Sequence, residues 1–193
     1  MKRAPCPHKL AGVTLVEMAI VTVVLSIIMA VAVPSLSGLI ERRRIIATAG
    51  EIASIIAFAR TEANAVNAEF NLHLEAVPAS ITDFGSCIRV SAGNNDTCQC
   101  NLARTCRIGD AKVLREFLLP RGNSVSFAAT ADWGTRRGVV SFVRDTHLTD
   151  VQNLVVTVSG ARTGARLAVQ YNNAGRVRTC SPDGSIGGFP VCS

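Results

Sequence analysis

Apolar and polar positions alternate along this chain in three successive patterns. Residues 18–40 carry no charged side chain, a run of 23 positions. At about 1.5 Å per residue a helix over this run covers roughly 35 Å, enough for a hydrocarbon core of about 30 Å. A membrane-spanning helix is therefore predicted. Beyond it, Ile45, Ala49, Ile52, Ile56, Ala59, Ala63, Val66 and Phe70 recur at alternating spacings of four and three, which places them on one stripe of a helix. Glu51, Arg60, Glu62, Asn64, Asn67 and Glu69 fall off the stripe, and no proline occurs between Pro34 and Pro78. The pattern predicts one helix from about Leu15 to about Phe70, with residues 41–77 as its amphipathic continuation. After Val77-Pro78 the period shortens. Segments at 87–90, 113–117, 124–127, 138–143, 154–158 and 165–170 are β-branched or alternating. Turn signals separate them at 93–96, 121–123 and 171–175. No crossover helix is visible between the later strands, so residues 78–193 should form a mostly antiparallel sheet. The expected fold class is α+β, a long helix packed on that sheet.

Two residues mark the apolar run as more than an anchor. Glu17 sits at its near edge, where a lone carboxylate costs about 2.5 kcal/mol or more. Pro34 lies near its far end, a kink position. The run follows a short basic leader with Lys2, Arg3 and Lys9, ending at Gly12. A secretory signal would carry its cleavage site after the apolar region instead. Gly12-Val-Thr-Leu-Val-Glu17 followed by an apolar helix resembles the class III leader of type IV pilins and pseudopilins. That resemblance implies a pilin-like fold and a leader, residues 1–12, removed by a prepilin peptidase. Val13 becomes the N-methylated first residue, where the family usually has Phe or Met. Glu17 becomes the carboxylate that recruits and registers a subunit in the filament. Residues 13–40 then serve as membrane anchor before assembly and filament core afterwards. The leader and the Arg42-Arg43-Arg44 cluster hold three positive charges each, so the positive-inside count is a tie. The family implies a cytoplasmic leader and a periplasmic domain on a single-pass inner-membrane protein, later part of a pilus or pseudopilus.

Charge and cysteines refine this picture. The formal net charge is +6, and the apolar run inflates the hydrophobic fraction of 48%. Without the leader, 17 basic residues face 14 acidic ones. Residues 13–120 hold nine basic and ten acidic groups, whereas residues 121–193 hold eight arginines and four aspartates. The positive charge thus gathers in the C-terminal third. Of seven cysteines, Cys6 lies in the leader. The remaining six suit disulfides in an oxidising compartment, with 15 possible connectivities. Cys180 and Cys192 enclose a Pro/Gly-rich loop and are expected to pair. Cys87, Cys98, Cys100 and Cys106 are expected to pair among themselves in an order the sequence leaves open. A metal site on Cys98, Cys100 and Cys106 is the rival reading, but it lacks paired C-x-x-C spacing. No metal or other cofactor is expected.

The candidate chemistry lies in Gly175-Arg176-Val177-Arg178. In a strand, Arg176 and Arg178 share a face about 7 Å apart, close to the phosphate spacing along one nucleic-acid strand. The planar guanidinium takes phosphate oxygens in a bidentate way. R-x-R alone is common on solvated strands. The stretch also resembles the C-terminal G-R-x-R signature of the FimT/GspH family, followed by a cysteine as expected. In FimT that motif binds DNA for natural transformation, which implies DNA contact by Gly175, Arg176 and Arg178. Arg162 and Arg166 precede it and could extend the patch. The family resemblance covers residues 9–70 and about 138–180, and the cysteine-rich insert within 71–137 does not map onto it. Catalysis has little support. His73, flanked by Leu72 and Leu74, reads as a strand residue, and His147 has no partner motif. Asp145 and Asp150 read as turn residues, and Trp133 as a core residue. The expected function is a minor type IV pilin, not an enzyme, that binds DNA for uptake. The alternatives are a GspH-like pseudopilin of type II secretion or a pilus-priming subunit without DNA binding. In each case the partners are a prepilin peptidase, sibling pilin subunits and the inner membrane.

Overall fold

The computed structural model describes residues 12–76, 84–92, 112–133, 138–143, 151–172 and 174–193. Helix α1 runs Leu15–Val66. Thr14 caps it: its hydroxyl accepts from the Glu17 backbone N–H at 3.3 Å, and its carbonyl from the Met18 N–H at 3.2 Å. Thr14-x-x-Glu17 has the spacing of a capping box, of which the threonine half is formed. The chain divides into two compact units, the first ending at Leu39 and the second Ile40–Ser193.

In the first unit the described large apolar side chains, from Val13 to Val31 and at Leu36 and Leu39, stand exposed, Leu15 at 86% and Val31 at 72%. The helix is long and apolar enough to cross a membrane, with a mean hydropathy of 2.6 over its most apolar 18 residues.

The second unit has its own core. Ile45, Ala49, Ile52, Ile56, Ala59 and Ala63 are buried, as their spacing predicts, and Ile55 joins them. The helix is shorter than its pattern suggests. It stops at Val66, and Asn67 takes a left-handed conformation with φ 55°, the usual way a chain leaves a helix. The helical continuation expected over 41–77 is therefore corrected beyond Val66. Val66 is exposed, and Phe70 opens strand β1, Phe70–Ala76. There Phe70, Leu72 and Leu74 alternate with Asn71, His73 and Glu75, a period of two.

Seven further strands follow: β2 Phe84–Ala92, β3 Lys112–Pro120, β4 Val125–Trp133, β5 Val139–Phe142, β6 Val151–Gly160, β7 Arg166–Tyr171 and β8 Val177–Cys180. They form two four-stranded sheets, ordered β3-β2-β1-β5 and β4-β6-β7-β8. Every strand pair within them is antiparallel. A short 3-10 turn, Arg121–Asn123, carries the chain from β3 to β4 and so from one sheet to the other.

One apolar cluster joins the helix stripe to both sheets through residues such as Leu72, Ile88, Val156 and Leu167. Side chains also stitch sheet to sheet. Phe142 meets Tyr171 edge-on at 5.6 Å, and Phe117 stacks on Phe127 at 6.4 Å. The Ser86 hydroxyl donates to the Phe127 carbonyl at 2.9 Å and accepts from its N–H at 3.1 Å. Arg115 of β3 pairs with Glu51 of α1 at 2.9 Å and lies over Phe58. The alternate face of β1 is polar and equally buried. Ser141 donates to Asn71 at 2.6 Å, and His73 Nε2 lies 3.1 Å from Ser91 Oγ. His73 is a strand residue with a buried hydrogen bond. Trp133 packs against the core.

Candidate nucleic-acid interface

The β7–β8 hairpin builds the candidate site. Tyr171 pairs with Val177 and Gln170 with Arg178. Asn172 organises the turn. Its carbonyl accepts from Gly175 N–H at 2.8 Å, its side-chain oxygen from Arg176 N–H at 3.0 Å, and its N–H donates to the Arg176 carbonyl at 3.3 Å. Gly175 sits at φ +73°, in the left-handed region where a side chain is strained. A Cβ there would also lie 2.9 Å from the Arg60 guanidinium carbon. Arg60 reaches from α1 and donates to the Gly175 carbonyl. Gly175 is thus a structural residue: it lets a helix arginine lie against the turn that carries Arg176.

Arg176 and Arg178 are both exposed and line one cleft of about 320 Å³ with Asn153, Gln170, Tyr171, Asn172 and Ser193. Arg178 donates to the Ser193 hydroxyl at 3.4 Å. A second cleft of about 570 Å³, lined by Arg60, Thr61, Asn64, Gly175 and Val177, also has Arg176 in its wall. Neither lining contains an acidic residue. Arg60 Nε is buried without a hydrogen-bond partner among the described residues. Tyr171 is buried behind the arginines. Burial pushes its hydroxyl pKa up, against the opposing influence of the Arg60 charge. Tyr171 therefore stays neutral and adds no negative charge to the cleft.

The structure separates Arg162 and Arg166 from this pair. β7 carries Arg166 at one end and Tyr171 at the other, roughly 17 Å apart at strand rise. Arg162 lies in the β6–β7 turn beyond Arg166, at the far end from Arg176. Arg166 donates to Asp183 at 3.2 Å. Hydrogen bonds from Ser185, with the help of Arg166, hold the Asp183 carboxyl down at about 2. Arg166 and Arg162 thus lie outside the cleft that Arg176 and Arg178 share, and Asp183 offsets the Arg166 charge.

The remaining sequence candidates are placed as follows. Gly12 and Val13 are exposed ahead of α1, and Glu17 is exposed on its first turn. Cys180 and Cys192 form a disulfide with Cα atoms 5.0 Å apart. Cys87 is buried and disulfide-bonded. Cys98, Cys100 and Cys106, with the rival metal reading, lie outside the described residues, as do Asp145, His147 and Asp150. Among the described residues no cluster of three His, Cys, Asp or Glu side chains could hold a metal.

Sequence reasoning gave Glu41 no role. Its side chain instead enters the Ile40–Ser193 core, only 2% exposed. It accepts from Arg162 N–H at 3.2 Å, Thr163 N–H at 2.8 Å and the Thr163 hydroxyl at 2.6 Å. Burial pushes its pKa up, but the Thr163 and Arg162 hydrogen bonds and the Arg162 charge outweigh that and hold it below the usual carboxylate value. The signal was available: position 41 lies four before Ile45, on the buried stripe.

No protein-family model matches the chain, and no curated protein does. Two solved structures are similar in chain path. One is the type IV minor pilin FimU of Pseudomonas aeruginosa, with TM-score 0.48 and 13% identity over 72% of this chain and 89% of that one. The other is EpsH, a minor pseudopilin from the type 2 secretion system of Vibrio cholerae, with TM-score 0.47 and 8% identity over 72% of this chain and 97% of that one. At 13% and 8% identity these similarities assign no residue a role, so site residues in this chain rest on its own geometry.

Proposed function

We propose that this chain is a minor pilin-like filament subunit, anchored by residues 13–40, that binds DNA through Arg176 and Arg178. The observation that carries the DNA reading is the shared cleft: two exposed guanidiniums on one hairpin, with no aspartate or glutamate in the lining. Amides from Asn153, Gln170 and Asn172 surround them and can bond to sugar or phosphate oxygens. Contact of this kind is phosphate-led and largely independent of sequence. Prepilin peptidase cleavage after Gly12, methylation at Val13 and subunit registration by Glu17 belong to the same reading, supported by the leader's resemblance to type IV prepilins. So does a periplasmic domain that reaches the pilus on assembly. The subunit would then hold DNA on a filament that retracts toward the import machinery.

The test is a duplex-DNA shift assay on the full chain in detergent at two salt concentrations. Arg176→Ala and Arg178→Ala should each weaken binding across sequences and reduce the salt slope by about one. Unchanged affinity in the double variant would sink the site assignment. Absence of salt-dependent affinity in the wild type would favour the second reading, a pseudopilin or priming subunit that binds only siblings.

A further inference from the structure

We propose that the Ile40–Ser193 unit has a second basic surface, a collar that docks on anionic phospholipid headgroups. Its first part is Arg42, Arg43 and Arg44, all exposed. Consecutive helical positions step by about 100°, so the three spread over more than half the helix circumference. The second part is Arg162. Glu41 pulls the β6–β7 turn against the helix by accepting from the Arg162 and Thr163 backbone, which leaves the Arg162 side chain exposed beside α1. The third part is Arg121, exposed in the turn between β3 and β4. That corner is drawn in twice. Ala161 N–H donates to the Ser124 carbonyl at 2.8 Å, and Arg44 donates to the Asn123 carbonyl at 3.3 Å. Three segments distant in sequence thus converge with five arginines. The nearby Glu41 carboxylate is buried and occupied by turn N–H groups, and Asp183 is paired with Arg166.

The chain itself indicates the occupant. The charge-free run ends at Ile40, and Arg42 follows about 3 Å further along the helix axis. With the run inserted in a bilayer, an arginine two positions past its end is held at headgroup level. Guanidinium groups take phosphate oxygens in a bidentate way, and an anionic leaflet attracts basic side chains held near it. The inference rests on the membrane-anchor reading of residues 13–40 and not on the DNA reading.

The experiment reconstitutes the full chain in nanodiscs of phosphatidylcholine with one-tenth phosphatidylglycerol. The lipids retained after mild detergent extraction are then counted by mass spectrometry. Each arginine at the surface is worth about fivefold in local anionic-lipid preference. The wild type should retain phosphatidylglycerol about threefold to fivefold above its bulk share. Arg42→Ala/Arg43→Ala/Arg162→Ala should fall to the bulk share, and the corresponding triple Lys variant should keep the enrichment. Arg176→Ala/Arg178→Ala should keep it too. A wild type at the bulk share, or an enriched triple Ala variant, overturns the collar. So does a triple Ala variant that loses duplex DNA while keeping phosphatidylglycerol. Flotation with pure phosphatidylcholine vesicles reads the anchor separately, so an anchor failure is distinguishable from a collar failure.

Discussion

The two ends of β7 are fastened to the same helix by opposite charges. At the β6–β7 turn, Glu41 offers oxygens to backbone and hydroxyl donors of Arg162 and Thr163. At the β7–β8 turn, about five helical turns further along α1, Arg60 donates to the Gly175 carbonyl. Each contact needs a glycine beneath it. A Cβ on Gly160 would lie 2.8 Å from the Glu41 carboxyl carbon, and one on Gly175 would lie 2.9 Å from that of the Arg60 guanidinium. The difference is in completeness. Glu41 is buried and well supplied with donors, whereas Arg60 is half-buried with its Nε unsatisfied among the described residues. The closed end holds the fold together, and the less satisfied end carries the candidate interface.

The comparison can be broken most severely at Gly160. Gly160→Val forces side-chain atoms into Glu41 and Ile45, and overpacking of this kind costs about 3 kcal/mol. The full chain in detergent should unfold several degrees lower by circular dichroism. A midpoint within a degree of wild type would show that Glu41 does not lie against this glycine.

Glu41→Gln keeps the shape and removes the charge. Charge-assisted hydrogen bonds are roughly twice as strong as neutral ones, so the cost at pH 7 should be about 1–2 kcal/mol. The pH dependence gives the sharper reading. The Glu41 pKa is lowered in the folded state, so its stabilisation is fully present above the unfolded value of about 4.3 and lost as pH falls through the folded value. Between pH 5 and the onset of acid unfolding, the wild type should lose more stability than Glu41→Gln. Parallel stability curves would remove the carboxylate from the account.

The smallest effect is expected at the open end. Gly175→Ala strains a φ of +73° and crowds Arg60, at a cost of about 1 kcal/mol. Because Arg60 sits in a cleft with room to move, the chain should stay folded while DNA affinity falls modestly. A loss of stability as large as at Gly160 would make the two ends equivalent.

The helix stripe was legible because its period is local: Ile45, Ala49, Ile52, Ile56, Ala59 and Ala63 all face inward. Its end was not. Val66 and Phe70 continue the spacing numerically, and only the left-handed Asn67 followed by alternation through β1 marks the change. Strand positions were also readable, but their division into two sheets was not. β5 pairs with β1, so Phe142 meets Phe70 across a long stretch of sequence. No local pattern encodes such a partner. The same limit explains the site. Arg176 and Arg178 could be paired from spacing, while the distance from Arg162 and Arg166 follows from the antiparallel course of β7. The roles of Glu41 and Arg60 are contacts with turns more than a hundred residues away.

The bond between Cys180 and Cys192 adds a question of timing. Cys180 ends β8, the strand that carries Arg178, and the loop it closes returns so that Ser193 meets Arg178. Closing a loop of this length removes roughly 3 kcal/mol of unfolded-chain entropy. Oxidation of the two thiols therefore raises the stability of the fold that carries that strand by about this amount. Under the proposed reading, a copy whose two thiols are still reduced would carry Arg178 in a less stable domain until export. The redox state of the compartment would then be a last step of maturation for the proposed subunit.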